Sequence, residues 1–130
     1  MSENKGVLDG VVVLDLTRVL AGPYCSMILA DMGAEVIKLE IPGRGDDTRG
    51  FPPFKEGKSG YFMNMNRNKK GITLNLKTGK DVFFELVKKA DILVENFRPG
   101  TMEKLGLGYD VLKEINPKLV YGCISGFGHY

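Results

Sequence analysis

The sequence predicts an α/β domain whose sheet is largely parallel and carries helices on both faces. Short, continuously apolar runs recur along the chain, as is typical of strands that are buried on both sides of a parallel sheet. Segments with apolar residues at helical spacing separate these runs. Glycine and proline stand at the ends of both kinds of segment, where turns are expected. The order is strand-helix-strand, a long loop, and then strand-helix-strand, helix and strand, which favours right-handed crossovers in one sheet.

Bulk composition fits one ordinary globular domain. The 130 residues suffice for a single hydrophobic core, with 43% apolar and 26% charged residues. We expect residues 1–7 to form a flexible tail and residues 8–130 to form the domain. The net charge of +2 is spread along the chain, which argues against a nucleic-acid partner.

The sequence contains no apolar stretch of membrane-spanning length, and its first ten residues contain no export signal. A cytoplasmic location without membrane association is therefore expected, with Cys25 and Cys123 as reduced thiols. Cys25 is expected to be a small core residue. The chain has a single histidine, His129, so it cannot build a metal site from several histidines, and no metal is expected.

The first strand-helix-strand unit is predicted from residues 11–14 and 36–40, two apolar runs. Between them, Pro23 suits the first turn of a helix and Gly33 suits its end. The apolar residues at helical spacing in this segment are Tyr24, Cys25, Ile28, Leu29 and Met32.

Residues 41–60 are crowded with glycine and proline and are predicted to be loop. So long a loop in a compact domain is usually functional or reaches toward a partner. Its charged segment, residues 43–50, is expected to pair with itself.

The second half repeats the alternation of strands and helices. Thr78 and Asp81 resemble a capping box at the start of a helix. The remaining predicted elements are a strand over 72–76, a strand over 92–95, a short helix after Pro99, a helix over 109–115 and a strand over 119–124.

Three strand ends are candidate site elements: residues 17–23, 95–100 and 125–128. In a parallel sheet these ends emerge at one edge, where ligands of open α/β sheets bind. Their glycines would let the backbone approach a ligand closely, although each glycine alone is compatible with a simple tight turn.

Basic residues around the strand over 72–76 and after the strand over 92–95 could together hold a polyphosphate, since arginine and lysine both bind phosphates. The alternative is that they are ordinary solvated side chains. The residues are Arg67, Lys69, Lys70, Lys77, Arg98 and Lys104.

A dinucleotide-binding fold is a rival interpretation. Glu40 closes the second strand at a plausible position for an acid that binds a ribose. The first strand is followed by residues 17–23, which lack the G-x-G-x-x-G pattern, so this interpretation fails its main test.

Seven blocks in order identify a resemblance that covers nearly the whole chain. They are LDLTRVLAGP (14–23), GAEVIKLE (33–40), GDDTR (45–49), NRNKKGITLNLK (66–77), ADILVENFRPG (90–100), LGLGY (105–109) and ISGFG (124–128). Together they resemble the class III CoA-transferases, which include formyl-CoA transferase, carnitine CoA-transferases and α-methylacyl-CoA racemase.

The resemblance implies a Rossmann-like CoA-binding domain, here an incomplete N-terminal portion, and an interlocked homodimer. Coenzyme A or acyl-CoA would be a substrate, with a carboxylate as the other substrate and no permanently bound cofactor. Lys104 would contact phosphate. The CoA-binding residues implied by matching positions are Val19, Leu20, Ala21, Leu74, Asn75, Lys77, Asn96, Phe97, Arg98 and Lys104.

The resemblance also implies that CoA moves between carboxylic acids through an aspartyl-acyl anhydride, which is nucleophilic catalysis by a carboxylate. The nucleophilic aspartate is expected beyond Tyr130, so these 130 residues alone are expected to be inactive. Two alternatives stay open: an acyl-CoA racemase of the same family, and a non-catalytic CoA-binding or assembly module.

Overall fold

Seven strands and five α-helices are present in residues 5–129, the part of the chain that the computed structural model describes. The strands are β1 (Val12–Asp15), β2 (Glu35–Glu40), β3 (Phe54–Lys55), β4 (Lys58–Ser59), β5 (Lys69–Thr73), β6 (Ile92–Glu95) and β7 (Val120–Cys123). The helices are α1 (Ala21–Asp31), α2 (Gly60–Met65), α3 (Lys80–Lys89), α4 (Thr101–Lys104) and α5 (Tyr109–Ile115), with a 3-10 helix at Asp47–Gly50.

The main sheet has five strands in the order β5-β2-β1-β6-β7, and every neighbouring pair is parallel. Asp15 at the end of β1 lies opposite Lys38 of β2 and Val94 of β6. The carboxyl ends of the strands therefore meet at one edge. The predicted fold class, a parallel sheet within an α/β domain, is confirmed.

Each face of the sheet has its own core, because successive side chains of a strand point to opposite faces. Leu14 and Leu93 lie on one face with Phe83 of α3 and Leu112 of α5, all fully buried. The other face is smaller and packs α1 against the strands; its buried residues are Val13, Ala30, Ala34, Val36 and Val94. The expectation of helices on both faces is confirmed.

Of the five apolar residues whose spacing predicted α1, Leu29 packs against the smaller core and the other four are exposed. Tyr24, Ile28 and Met32 are exposed, and so is Cys25, so its assignment to the core was wrong. The buried residues of the helix are Gly22, Pro23, Ser26, Met27 and Ala30. Apolar residues recur on both sides of α1, and the side that packs on the sheet includes the small residues Gly22, Ser26 and Ala30.

Three boundaries in the middle of the chain also differ from prediction. β5 begins at Lys69 and ends at Thr73, so Leu74 and Asn75 follow the strand instead of belonging to it. The capping box was wrong: α3 starts after Gly79 without a side-chain cap. Residues 41–60 are not all loop, since they hold the 3-10 helix and the β3–β4 hairpin, and α2 was not foreseen.

The chain before β1 is partly docked on α1. The backbone N–H of Leu8 donates to the carbonyl of Met32 at 3.0 Å. Gly6 lies so close to Met32 and Gly33 that a Cβ atom at position 6 would overlap the Met32 carbonyl. The first part of the predicted tail, residues 1–4, lies outside the described residues. Among residues 5–129, no helix combines the length and apolar character that a bilayer crossing requires.

Candidate functional site

Two adjoining cavities open at the carboxyl edge of the main sheet and share Phe97, which follows β6. The first has a volume of about 460 Å³ and the second about 550 Å³. The first is lined by Leu16, Arg18, Leu39, Glu40, Ile41, Gly45, Asp46, Leu74, Asn75, Leu76, Lys77, Phe97, Thr101 and Leu105. The second is lined by Ala21, Asn96, Phe97, Arg98, Pro99, Ile124, Ser125, Gly126, Phe127 and Gly128.

Most of the residues predicted to bind CoA line these cavities. Leu74, Asn75, Lys77 and Phe97 line the first cavity. The second is lined by Ala21, Asn96, Phe97 and Arg98. All three strand ends that the sequence indicated thus meet at one edge.

The other three predicted residues have different positions. Val19 and Leu20 lie in the turn between Arg18, which lines the first cavity, and Ala21, which lines the second. Lys104 is exposed on α4 and lines neither cavity.

The turn after β1 has an unusual backbone. Val19 has φ of 70°, in the left-handed region, which costs about 1–2 kcal/mol for a residue with a β-carbon. A β-branched residue is a genuine outlier there, so its surroundings must hold it. Asn96, the residue after β6, does so: its Oδ1 accepts from the Arg18 N–H, and its Nδ2 donates to the Arg18 carbonyl, both at 2.8 Å.

A buried ion pair lies beneath this turn, on the α1 face of the sheet. The ammonium of Lys69 lies 3.0 Å from Oδ2 of Asp15, with side-chain exposures of 1% and 0%. It also donates to the Pro23 carbonyl and to Oδ1 of Asn66, so all three of its protons have acceptors. Burial lowers the pKa of Lys69, against the opposing effect of the Asp15 carboxylate.

The second buried pair joins β2 to the loop that follows it. Lys38 places its ammonium 2.9 Å from Oδ2 of Asp46, and both side chains are almost fully buried. The same ammonium donates to the Thr17 carbonyl at 2.8 Å. Burial acts to raise the pKa of Asp46, but the Lys38 ammonium and the hydrogen bonds from Thr48 outweigh it and lower that pKa.

The charged segment 43–50 pairs partly with itself, as predicted, and partly with β2. Arg44 and Asp47 form an exposed pair at 2.6 Å. Arg49 instead binds Glu40 through two hydrogen bonds of 2.8 and 2.6 Å, which lower the pKa of that carboxyl. Glu40 is therefore committed to Arg49, which disfavours the ribose-binding role considered from the sequence.

The predicted basic cluster is divided by the structure. Arg67 pairs with Asp31, Lys69 is buried beside Asp15, and Lys70 pairs with Glu35. Of the four residues around β5, only Lys77 lines either of the two cavities described above. Lys69 is buried in its pair, which disfavours a phosphate contact for that residue. Arg67 and Lys70 form exposed pairs and line neither cavity, so a phosphate contact by them stays a prediction.

Glu95, at the end of β6, fixes the backbone of Phe97. Its Oε2 accepts from the Phe97 N–H at 2.7 Å, and its Oε1 accepts from the Tyr121 hydroxyl at 3.3 Å. Burial raises the pKa of Glu95. Atoms of Glu95, Cys123 and His129 that could ligate a metal ion lie within 4.8 Å of one another, a grouping that sequence reasoning missed. Both carboxylate oxygens of Glu95 already accept hydrogen bonds from Phe97 and Tyr121.

Sequence reasoning also missed the buried charges of β2. Lys38 stands inside an otherwise apolar run of the strand, and this was the available signal. A lysine in such a position is almost never fully buried without a partner, so the sequence indicated a buried acceptor nearby. It did not indicate that the acceptor would be Asp46.

A family model described as CoA-transferase family III matches residues 8–130. The chain belongs to this family. The resemblance seen in the sequence motifs is therefore confirmed, and so is the fold it implied. A solved structure described as a CAIB/BAIF family protein from Brucella suis superposes with a TM-score of 0.90 and 45% identity, over 97% of this chain and 35% of that one.

Curated members of the family are named as CoA-transferases. An acetyl-CoA:oxalate CoA-transferase of Acetobacter aceti is 53% identical over 95% of this chain and 32% of its own length. A succinyl-CoA:mesaconate CoA-transferase of Haloarcula marismortui is 55% identical over 95% and 33%. The human succinyl-CoA:glutarate CoA-transferase is 52% identical over 93% and 28%. The chain thus spans about a third of the length of these relatives.

Proposed function

We propose that residues 8–130 form the CoA-binding part of a CoA-transferase that moves CoA between carboxylic acids. The observation that carries the proposal is the pair of adjoining cavities that share Phe97. CoA is an elongated molecule with a charged nucleotide at one end and a thin pantetheine arm at the other. Two cavities that lie along one sheet edge and share Phe97 suit such a ligand, and the named relatives all act on CoA thioesters according to their names.

Cationic side chains at the rim support the phosphate contacts of this proposal. Arg18 and Lys77 line the first cavity, and Arg98 lines the second. Within residues 5–129, neither Lys77 nor Arg98 has a carboxylate partner within 4.0 Å. Arg18 comes only to 4.0 Å of Asp47 and stacks on Phe97, with its guanidinium carbon 5.8 Å from the ring centre. These charges are available for an anionic ligand.

The carboxylates of the two cavities support a nucleophile that comes from elsewhere. In the described part of the chain, the lining carboxylates are Glu40 and Asp46, and each is paired with a cation. A carboxylate held by an ion pair is a poor nucleophile. We therefore place the aspartate that would form the acyl anhydride outside residues 1–130. The family resemblance further implies an interlocked homodimer, with acyl-CoA and a carboxylate as substrates.

Calorimetric titration of the chain with CoA tests the binding proposal. Lys77→Ala and Arg98→Ala are each expected to weaken CoA binding by about tenfold, because each removes a charge-assisted hydrogen bond worth about 1.5 kcal/mol. Lys88→Ala removes the same charge from the exposed side of α3 and is the matched control, expected to leave the affinity unchanged. Absence of CoA binding by the folded wild-type chain would contradict the proposal.

An acyl-transfer assay tests the placement of the nucleophile. The chain alone is expected to show no turnover with acetyl-CoA, succinyl-CoA or formyl-CoA and a carboxylate acceptor. Measurable transfer would show that these residues contain a reactive nucleophile, and it would overturn the placement of the aspartate outside residues 1–130.

A further inference from the structure

The turn of residues 17–20 passes between the two cavities, and three side chains from three different segments fix its backbone. Lys38 of β2 donates to the carbonyl of Thr17. Asn96 binds both the N–H and the carbonyl of Arg18. Lys38 and Asn96 therefore hold the two ends of the peptide unit that joins Thr17 to Arg18, and Asn96 also holds the carbonyl of the next unit.

The third holder is Asp46, in the loop after β2. Its Oδ1 lies 3.3 Å from the N–H of Val19 and also accepts from the N–H and hydroxyl of Thr48. The backbone N–H of Asp46 donates to Oε2 of Glu40 at 2.7 Å. This bond anchors the backbone of Asp46 and so helps to position its side-chain carboxylate. The loop after β2 therefore also supports the turn.

We propose that Asn96 is a positioning residue for CoA binding, which acts by holding the left-handed turn at Val19. The inference rests on the proposed function and deepens it. The carbonyl oxygen of the Asn96 side chain and one of its N–H groups are committed to Arg18, at 2.8 Å each. Without them, Val19 would relax to a common backbone conformation, and the turn would fit its ligand in only a fraction of molecules. The apparent affinity is then the intrinsic affinity multiplied by that fraction.

The test compares Asn96→Ala with Asn116→Ala. Asn116 is the matched control, because its side chain also donates to two backbone carbonyls, those of Val87 and Ala90, at 2.9 and 2.8 Å. It lies away from both cavities. Both variants are expected to melt at lower temperature. Only Asn96→Ala is expected to weaken CoA binding, by about tenfold measured by calorimetry at a temperature where both variants are fully folded.

A rescue experiment separates positioning from direct contact. Glycine adopts a positive φ without strain, so Val19→Gly makes the turn accessible without its holders. In the Asn96→Ala background, Val19→Gly is expected to restore CoA affinity about threefold or more, whereas in the wild-type background it is expected to give no gain. If Asn96→Ala does not fold, Asn96→Ser carries the same comparison.

Each result has one meaning. Equal CoA affinity in Asn96→Ala and Asn116→Ala would overturn the inference and leave the proposed function standing. Weak binding that Val19→Gly does not rescue would also overturn it, since Asn96 would then contact the ligand itself. A folded wild-type chain that does not bind CoA would contradict the proposed function, and the positioning role with it.

Discussion

Replacement of Lys69 by methionine is expected to destabilise the protein by about 3–5 kcal/mol, because it removes one partner of a buried ion pair. Methionine fills similar space but cannot donate a hydrogen bond. The Asp15 carboxylate would keep its hydrogen bonds from Thr17 and Ser26 but lose its only cationic partner among the described residues. Because the Asp15 side chain is 0% exposed, water cannot replace that partner. The Pro23 carbonyl would lose the Lys69 donor as well.

The magnitude follows from burial. Removing the charge partner of a fully buried carboxylate leaves that charge uncompensated, whereas an exposed pair is worth about 0–1 kcal/mol. Since a domain of this size is stable by only about 5–15 kcal/mol, Lys69→Met is expected to remove a large part of the total. Urea unfolding at pH 7, followed by circular dichroism, measures the difference directly.

Lys70→Met is the matched control. Lys70 is the next residue of β5, and its ion pair with Glu35 has side-chain exposures of 71% and 47%. Its replacement is expected to change the free energy of unfolding by less than about 1 kcal/mol. Equal effects of the two variants would refute the reasoning, since burial would then not determine the value of a lysine in this strand.

Two further outcomes follow from the core and from the acidic groups. Phe83→Ala is expected to lower the free energy of unfolding by about 3–5 kcal/mol, because the Phe83 side chain is 0% exposed. Val82→Ala is expected to lower it by under about 1 kcal/mol, because Val82 is 55% exposed. Urea unfolding measures both. Glu40 and Asp46 have pKa values lowered from 4.5 and 3.8 in the folded protein. Their stabilising effect is therefore complete above those ordinary values and lost as the pH falls through the lowered ones, so melting temperature should drop below about pH 4. A melting temperature that stays constant down to pH 2 would contradict these shifts.

Local sequence patterns predicted the elements whose signals are self-contained. The apolar run ending at Val94 predicted β6, and the helix over 109–115 was predicted with its observed bounds. Gly33 was predicted to end the first helix, and its φ of 102° agrees with that role. These signals depend on neighbours within a few residues, so they need no knowledge of the fold.

Patterns with two solutions were decided by packing. The side of α1 that carries Tyr24 and Ile28 satisfies helical periodicity as well as the buried side does. Likewise, the alternation around Ile72 fitted a strand, but pairing with β2 covers only Lys69 to Thr73. Such choices depend on which surface the neighbouring element offers.

The sequence by itself determined a parallel sheet whose strand ends carry polar and cationic residues, together with the family to which the chain belongs. The tertiary structure decided which charged side chains are paired with an opposite charge and which are available to a ligand. Lys69 is 54 residues from Asp15, and Asn96 is 78 from Arg18. Whether a lysine is a ligand for phosphate or half of a buried pair depends on such distant partners, because the energy of a charge is set by its burial and its nearest opposite charge.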